Sequence, residues 1–161
     1  MSERSSKEPG SQPGAGWTEA VPYRPRRTFS LAEANGALSL VGRIARDVVD
    51  CHRRISELYG EARGHADAGR SEDAERLREE IGELFTDVES CVKELERIGC
   101  EYRDRAKGLV DFPSRLGDRL VFLCWKLGEP EILHWHELHD GFTGRRPIAS
   151  YLSGDGGRSD S

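Results

Sequence analysis

Long apolar runs are missing from this chain, and so is any surplus of positive charge. No stretch approaches the roughly 20 apolar residues a membrane-spanning helix needs. With 24 Lys and Arg against 29 Asp and Glu the net charge is -5, which argues against the basic face of a general nucleic-acid binder. The N-terminus lacks the apolar core of a secretion signal, so a cytoplasmic location is expected. Cys-x-x-Cys spacing is absent among Cys51, Cys91, Cys100 and Cys124, which excludes a zinc knuckle or thioredoxin-like motif and leaves reduced, partly buried thiols as the expectation. Apolar residues are 36% and charged residues 33% of 161, too polar for a uniformly compact globule and better suited to long exposed helices or disordered ends.

What is present divides the chain in two. Residues 1–27 carry Ser, Gly, Pro and charge without apolar period and read as a disordered tail; Arg24-Pro25-Arg26-Arg27 is a basic patch within it. Order is expected from residue 28. Ser30 and Glu33 have capping-box spacing, with Phe29 and Ala34 placed for a small staple. A helix to about Arg63 follows, with the stripe Leu31, Ala34, Leu38, Val41, Ala45, Val48, His52, Ile55, Tyr59 and Ala62 in steps of three and four. After a break containing Gly64 and Gly69, Ser71 is placed to cap a second helix to about Ile98. Its stripe is Ala74, Leu77, Ile81, Leu84, Val88, Cys91, Leu95 and Ile98. Facing positions of the two stripes sum to 136, from Ala62 with Ala74 to Leu38 with Ile98, so the centre falls at position 68, inside the break. This predicts an antiparallel two-helix hairpin. Leu40, Ile44, Val49, Cys51, Leu58, Phe85 and Val92 flank the seam and need a cover, either the C-terminal region or a second copy of the chain.

Beyond Gly99 the pattern turns to strands. Cys100–Asp104 alternates, and Gly108–Pro113 reads as a short extended piece ended by its proline. Leu116–Arg119 is a turn, and Leu120–Leu127 pairs with Ile132–Leu138. Gly141–Ile148 reads as a loop or edge piece, and residues 152–161 as a tail. The expected fold is α+β within residues 28–151: a helical hairpin over 28–99, then a small antiparallel β-sheet over 100–151.

The densest chemistry lies in Ile132–Asp140, where His134, His136 and His139 accompany Glu137 and Asp140. On a strand His134 and His136 share a face, and two imidazoles so placed can share a divalent metal, zinc first by donor type. His134, His136, Glu137 and Asp111 form the expected metal set. A sheet-surface histidine cluster beside Trp135 is the structural alternative. Cys124 is either a ligand or nucleophile near His136 or a buried small thiol. Asp111, between Val110 and Phe112, needs a partner if buried, with Arg115, Arg145 or Arg146 as candidates. Arg145 and Arg146, beside Gly141 and Gly144, would suit an anion or a pocket mouth. His52 on the seam reads as a register-setting polar residue.

Several segments carry a resemblance. Phe29-Ser30-Leu31-Ala32-Glu33-Ala34-Asn35, Gly108–Pro113, Leu123–Glu129, Trp135-His136-Glu137 and Gly141–Ile148 resemble the bacterial family catalogued as domain of unknown function 2203, over roughly residues 28–148. The resemblance implies a coherent domain and brings no mechanism. Two functional expectations stand side by side: a metal or small-ligand site centred on His136, and an interaction or homodimerisation module working through the hairpin.

Overall fold

The structure, a computed structural model, describes residues 22–154. Of the tails expected over residues 1–27 and 152–161, residues 1–21 and 155–161 lie outside the described residues. Helix α1 spans Leu31–Asp67 and α2 spans Ser71–Ile98. Strands β1 (Glu101–Asp104), β2 (Leu109–Leu116), β3 (Arg119–Lys126), β4 (His134–Glu137) and β5 (Arg146–Pro147) form one antiparallel sheet in chain order. A short helix α3, Ile148–Leu152, follows; the sequence pattern had not indicated it. No described helix is long and apolar enough to cross a membrane.

The capping box forms as its spacing demands. Glu33 N donates to Ser30 Oγ at 3.1 Å, and Ser30 N donates to Glu33 Oε1 at 3.1 Å. Helix α1 outruns its expected end by a turn, through Gly64 to Asp67, so the connection is only Ala68-Gly69-Arg70. Position 68, the expected centre, is the first residue of this connection, one short of its midpoint at Gly69. Ser71 does not cap α2. Arg70 holds that position without a side-chain bond to the helix, and is instead tied to His65 through Nε to Nδ1 at 2.8 Å.

Ala62 and Ala74, Ile55 and Ile81, Val48 and Val88, and Val41 and Leu95 are buried, as the seam requires. Tyr59 is not: it is 53% exposed while its neighbour Leu58 is fully enclosed. A buried phenol needs a hydrogen-bond partner and a leucine does not, so near the tip the aliphatic residue turns inward. The sheet covers the other half of the hairpin. Val41, Ile44, Ala45 and Leu95 share one core with Val110, Phe112, Val121, Leu123, Trp125 and Trp135. Val48, Ile55, Leu58, Ile81 and Val88 form a second, two-helix core toward the tip.

Strand β2 does not stop at Pro113 but continues to Leu116. Strand β1 ends its pairing at Asp111, so Pro113 meets an open edge where no ladder N–H is missed. The Pro113 carbonyl accepts from Phe29 N at 2.7 Å, which ties the start of α1 to the sheet. Strand β4 begins two residues later than expected because Ile132 N–H is spent on Asn35 Oδ1 at 2.8 Å. Gly108, at φ +71°, is required where β1 turns into β2. A Cβ there would stand 2.7 Å from Leu127 Cβ.

Alternation along these strands sorts the sheet into two faces. Val110, Phe112, Val121, Leu123, Trp125 and Trp135 face the helices. Asp111, Phe122, Cys124, His134 and His136 face outward.

Candidate metal centre on the outer face of the sheet

Register places Asp111, Cys124 and His134 in one row across β2, β3 and β4, with Phe122 and His136 paired in the neighbouring row. Asp111, Cys124 and His136 are each only 2–3% exposed despite lying on the outer face. They line a cavity of about 230 Å³ whose other walls include Arg103, Leu138, His139, Asp140 and Phe142. One ligand atom from each of the three, a carboxylate oxygen, a thiol sulfur and an imidazole nitrogen, lies within 4.8 Å of the other two.

His136 is oriented by its two nitrogens. Nδ1 is 2.8 Å from the carbonyl oxygen of Glu137, which can only accept, so Nδ1 carries hydrogen. Nε2 is 3.0 Å from Asp111 Oδ1. Burial alone would lower the imidazole pKa. Hydrogen bonds to Asp111 and Cys124, together with the Asp111 charge and the Glu137 carbonyl, outweigh it and push the value up to about 10. Without a metal the ring is therefore an imidazolium with a proton on each nitrogen.

The carboxylate is held on its other side by Arg103, whose Nε donates to Asp111 Oδ2 at 3.0 Å. None of Arg115, Arg145 and Arg146 fills that role. The β1–β2 register shifts between Tyr102 and Asp104, so Arg103 sits in a β-bulge, a device that re-aims a side chain. The alternating pattern of residues 100–104 gave no sign of that extra residue.

Other candidates are distributed differently. Glu137 points to the helix-side face, where Oε1 is 2.7 Å from Arg119 and 4.0 Å from Arg146, so the fold does not bring it to Asp111 and His136. Arg146 lies over the Trp135 ring at 5.1 Å. Arg145 donates to Glu129 at 2.5 Å and to the Cys124 carbonyl at 3.2 Å, and covers Phe142 at 4.7 Å, pinning the 141–145 loop to β3. His134 shares the outer face, but its Nδ1 is 3.5 Å from Glu129 Oε2 and makes no hydrogen bond. Cys124 is buried, as a small thiol would be, and is also the sulfur of the cluster; its strand partner Asp111 is what brings the two readings together.

No curated protein and no solved structure matches the chain. A family model does match, over residues 27–148, and it takes in both long helices, the whole sheet and all three cluster residues. The chain belongs to the family described as "Uncharacterized conserved protein (DUF2203)".

Proposed function

We propose that this protein binds a divalent metal ion through Asp111, Cys124 and His136. The observation that carries the reading is the convergence of three donors of different type, buried together, on one point of a cavity floor. Tetrahedral zinc with N, O and S ligands sets ligand–ligand distances of roughly 3.3–3.7 Å. The 3.0 Å between His136 Nε2 and Asp111 Oδ1, and the 4.8 Å bound on the cluster, bracket those values, so adjustments of at most about 1.5 Å suffice. The Glu137 carbonyl on Nδ1 is the outer partner that a metal-ligating histidine ordinarily has. Imidazole and thiolate favour zinc over magnesium or calcium. A thiolate ligand needs a reducing compartment, in keeping with a cytoplasmic location.

Three protein ligands leave a fourth position, and here the 230 Å³ cavity supplies room for water or a small ligand. If that position holds water, metal-assisted hydrolysis is the chemistry within reach. The test is elemental mass spectrometry of the untagged protein beside His136→Ala. Near-stoichiometric metal, lost in the variant, is the expected result. No metal in either protein, even after reconstitution with zinc, manganese and iron, overturns the reading.

A second reading, homodimerisation through the hairpin, draws on a different observation. Leu40, Tyr59 and Phe85 are 41%, 53% and 42% exposed on helices whose seam is already filled. Light scattering at tens of micromolar decides it: a dimer that Tyr59→Glu with Phe85→Glu returns to monomer supports it, and a wild-type monomer removes it.

A further inference from the structure

The segment just before the first helix reaches the candidate site. Tyr23 lays its ring on Phe122, with centroids 5.5 Å apart, and His136 contacts the same phenylalanine at 5.5 Å. Tyr23 borders one cavity together with Glu101 and Arg103, and burial with the neighbouring Glu101 carboxylate pushes its phenol pKa well above the ordinary value. Glu101 in turn forms an ion pair with Arg103, whose guanidinium also lies over the Phe122 ring at 4.9 Å. Arg103 Nε then holds Asp111 Oδ2 at 3.0 Å. Glu101 and Arg103 thus make a chain ending on the carboxylate, with Tyr23 packed beside it against Phe122. Tyr23 precedes residues 27–148, the part matched by the family model.

We infer that Arg103 is the positioning residue of the metal site, holding Asp111 so that a single oxygen, Oδ1, is presented beside His136, and that Tyr23 and Glu101 hold Arg103 in turn. The inference rests on the metal reading above. With Oδ2 occupied, the carboxylate binds a cation through one oxygen, as tetrahedral coordination prefers. The guanidinium is suited to this because it is a planar fork, able to serve Asp111 through Nε and Glu101 through a terminal nitrogen at once. A lysine ammonium keeps the charge and loses the fork.

The experiment compares wild type, Arg103→Gln, Arg103→Lys, Tyr23→Ala and His136→Ala. Zinc affinity is read by competition with a chromophoric chelator, and coordination by the visible spectrum of the cobalt-substituted protein. Circular dichroism checks folding, and Glu101→Gln serves as a second probe of the chain should an Arg103 variant not fold. Wild type should bind, and His136→Ala should lose binding. Arg103→Gln and Arg103→Lys should both weaken it by about 10–100-fold, the scale of an outer-shell partner. Both should alter the cobalt spectrum, which a merely structural role would leave unchanged. Tyr23→Ala and Glu101→Gln should show smaller losses in the same direction. Wild-type affinity and spectrum in both Arg103 variants, with His136→Ala still defective, overturn the inference and leave the metal reading intact. Restoration by Arg103→Lys shows that charge alone is at work and overturns it as well. Absence of zinc and cobalt binding in the wild type overturns the metal reading, and the inference with it.

Discussion

His136 presents Nε2 to Asp111 Oδ1 at 3.0 Å while Nδ1 faces the Glu137 carbonyl at 2.8 Å, so both nitrogens of one buried ring meet acceptors. A proton sits where a cation would sit. From this relationship the pH behaviour of the site follows.

Metal binding must displace the Nε2 proton, because a ligating imidazole is neutral. With the ring held protonated up to about pH 10, zinc affinity should climb between pH 6 and 9, roughly tenfold per pH unit for each proton released. Calorimetry in buffers of different ionisation enthalpy counts those protons. An affinity independent of pH, with no proton release, is incompatible with ligation by His136.

The metal-free protein should lose stability on the alkaline side. The folded-state pKa of His136 is raised from 6.5 to about 10. Its contribution is therefore fully present below pH 6.5 and disappears as pH rises toward 10. Thermal melting in the presence of chelator should show a falling midpoint over that window. His136→Gln, which does not titrate, should flatten that limb of the curve.

Replacing Asp111 by Asn removes the charge that keeps the imidazolium in place. Burial then dominates, and the His136 pKa should return to its ordinary value or below. Breaking the pair should destabilise the protein by about 1–3 kcal/mol, less than for a stranded charge because the ring can neutralise itself. Histidine ring NMR signals followed with pH report the shift directly; a ring still titrating near 10 in Asp111→Asn would show that Asp111 is not its cause.

The hairpin tip offers a paired test of packing. Leu58→Ala should cost about 2–4 kcal/mol, since the side chain is fully enclosed among Ile55, Ile81 and their neighbours. Tyr59→Ala, half exposed, should stay within about 0.5 kcal/mol. Urea unfolding of the two variants measures both, and comparable losses would mean that a partner covers Tyr59 in solution.

Much of the architecture was legible because it rests on local periodicity. The capping box at Ser30, the two heptad stripes and the turn at residues 68–70 depend on residues within a few turns of one another. The site was legible only in part. Asp111 stood out as a carboxylate between apolar neighbours and His136 as a member of a histidine and carboxylate run, and both lie among the three clustered donors. Arg103 did not stand out, because a bulge breaks the alternation on which its facing would be judged. Pro113 misled for a related reason: a proline ends a strand only where its missing N–H faces a partner, and edge position is a property of the sheet.

By itself the sequence determined the elements: where helices start, which stripe is apolar, which residues alternate. Those are short-range consequences of backbone geometry and side-chain type. Only the tertiary structure decided that Asp111 of β2, Cys124 of β3 and His136 of β4 share one buried point while Glu137, adjacent in sequence to His136, faces away. Strand register and pleat set that outcome, since a shift of one residue sends every side chain to the opposite face.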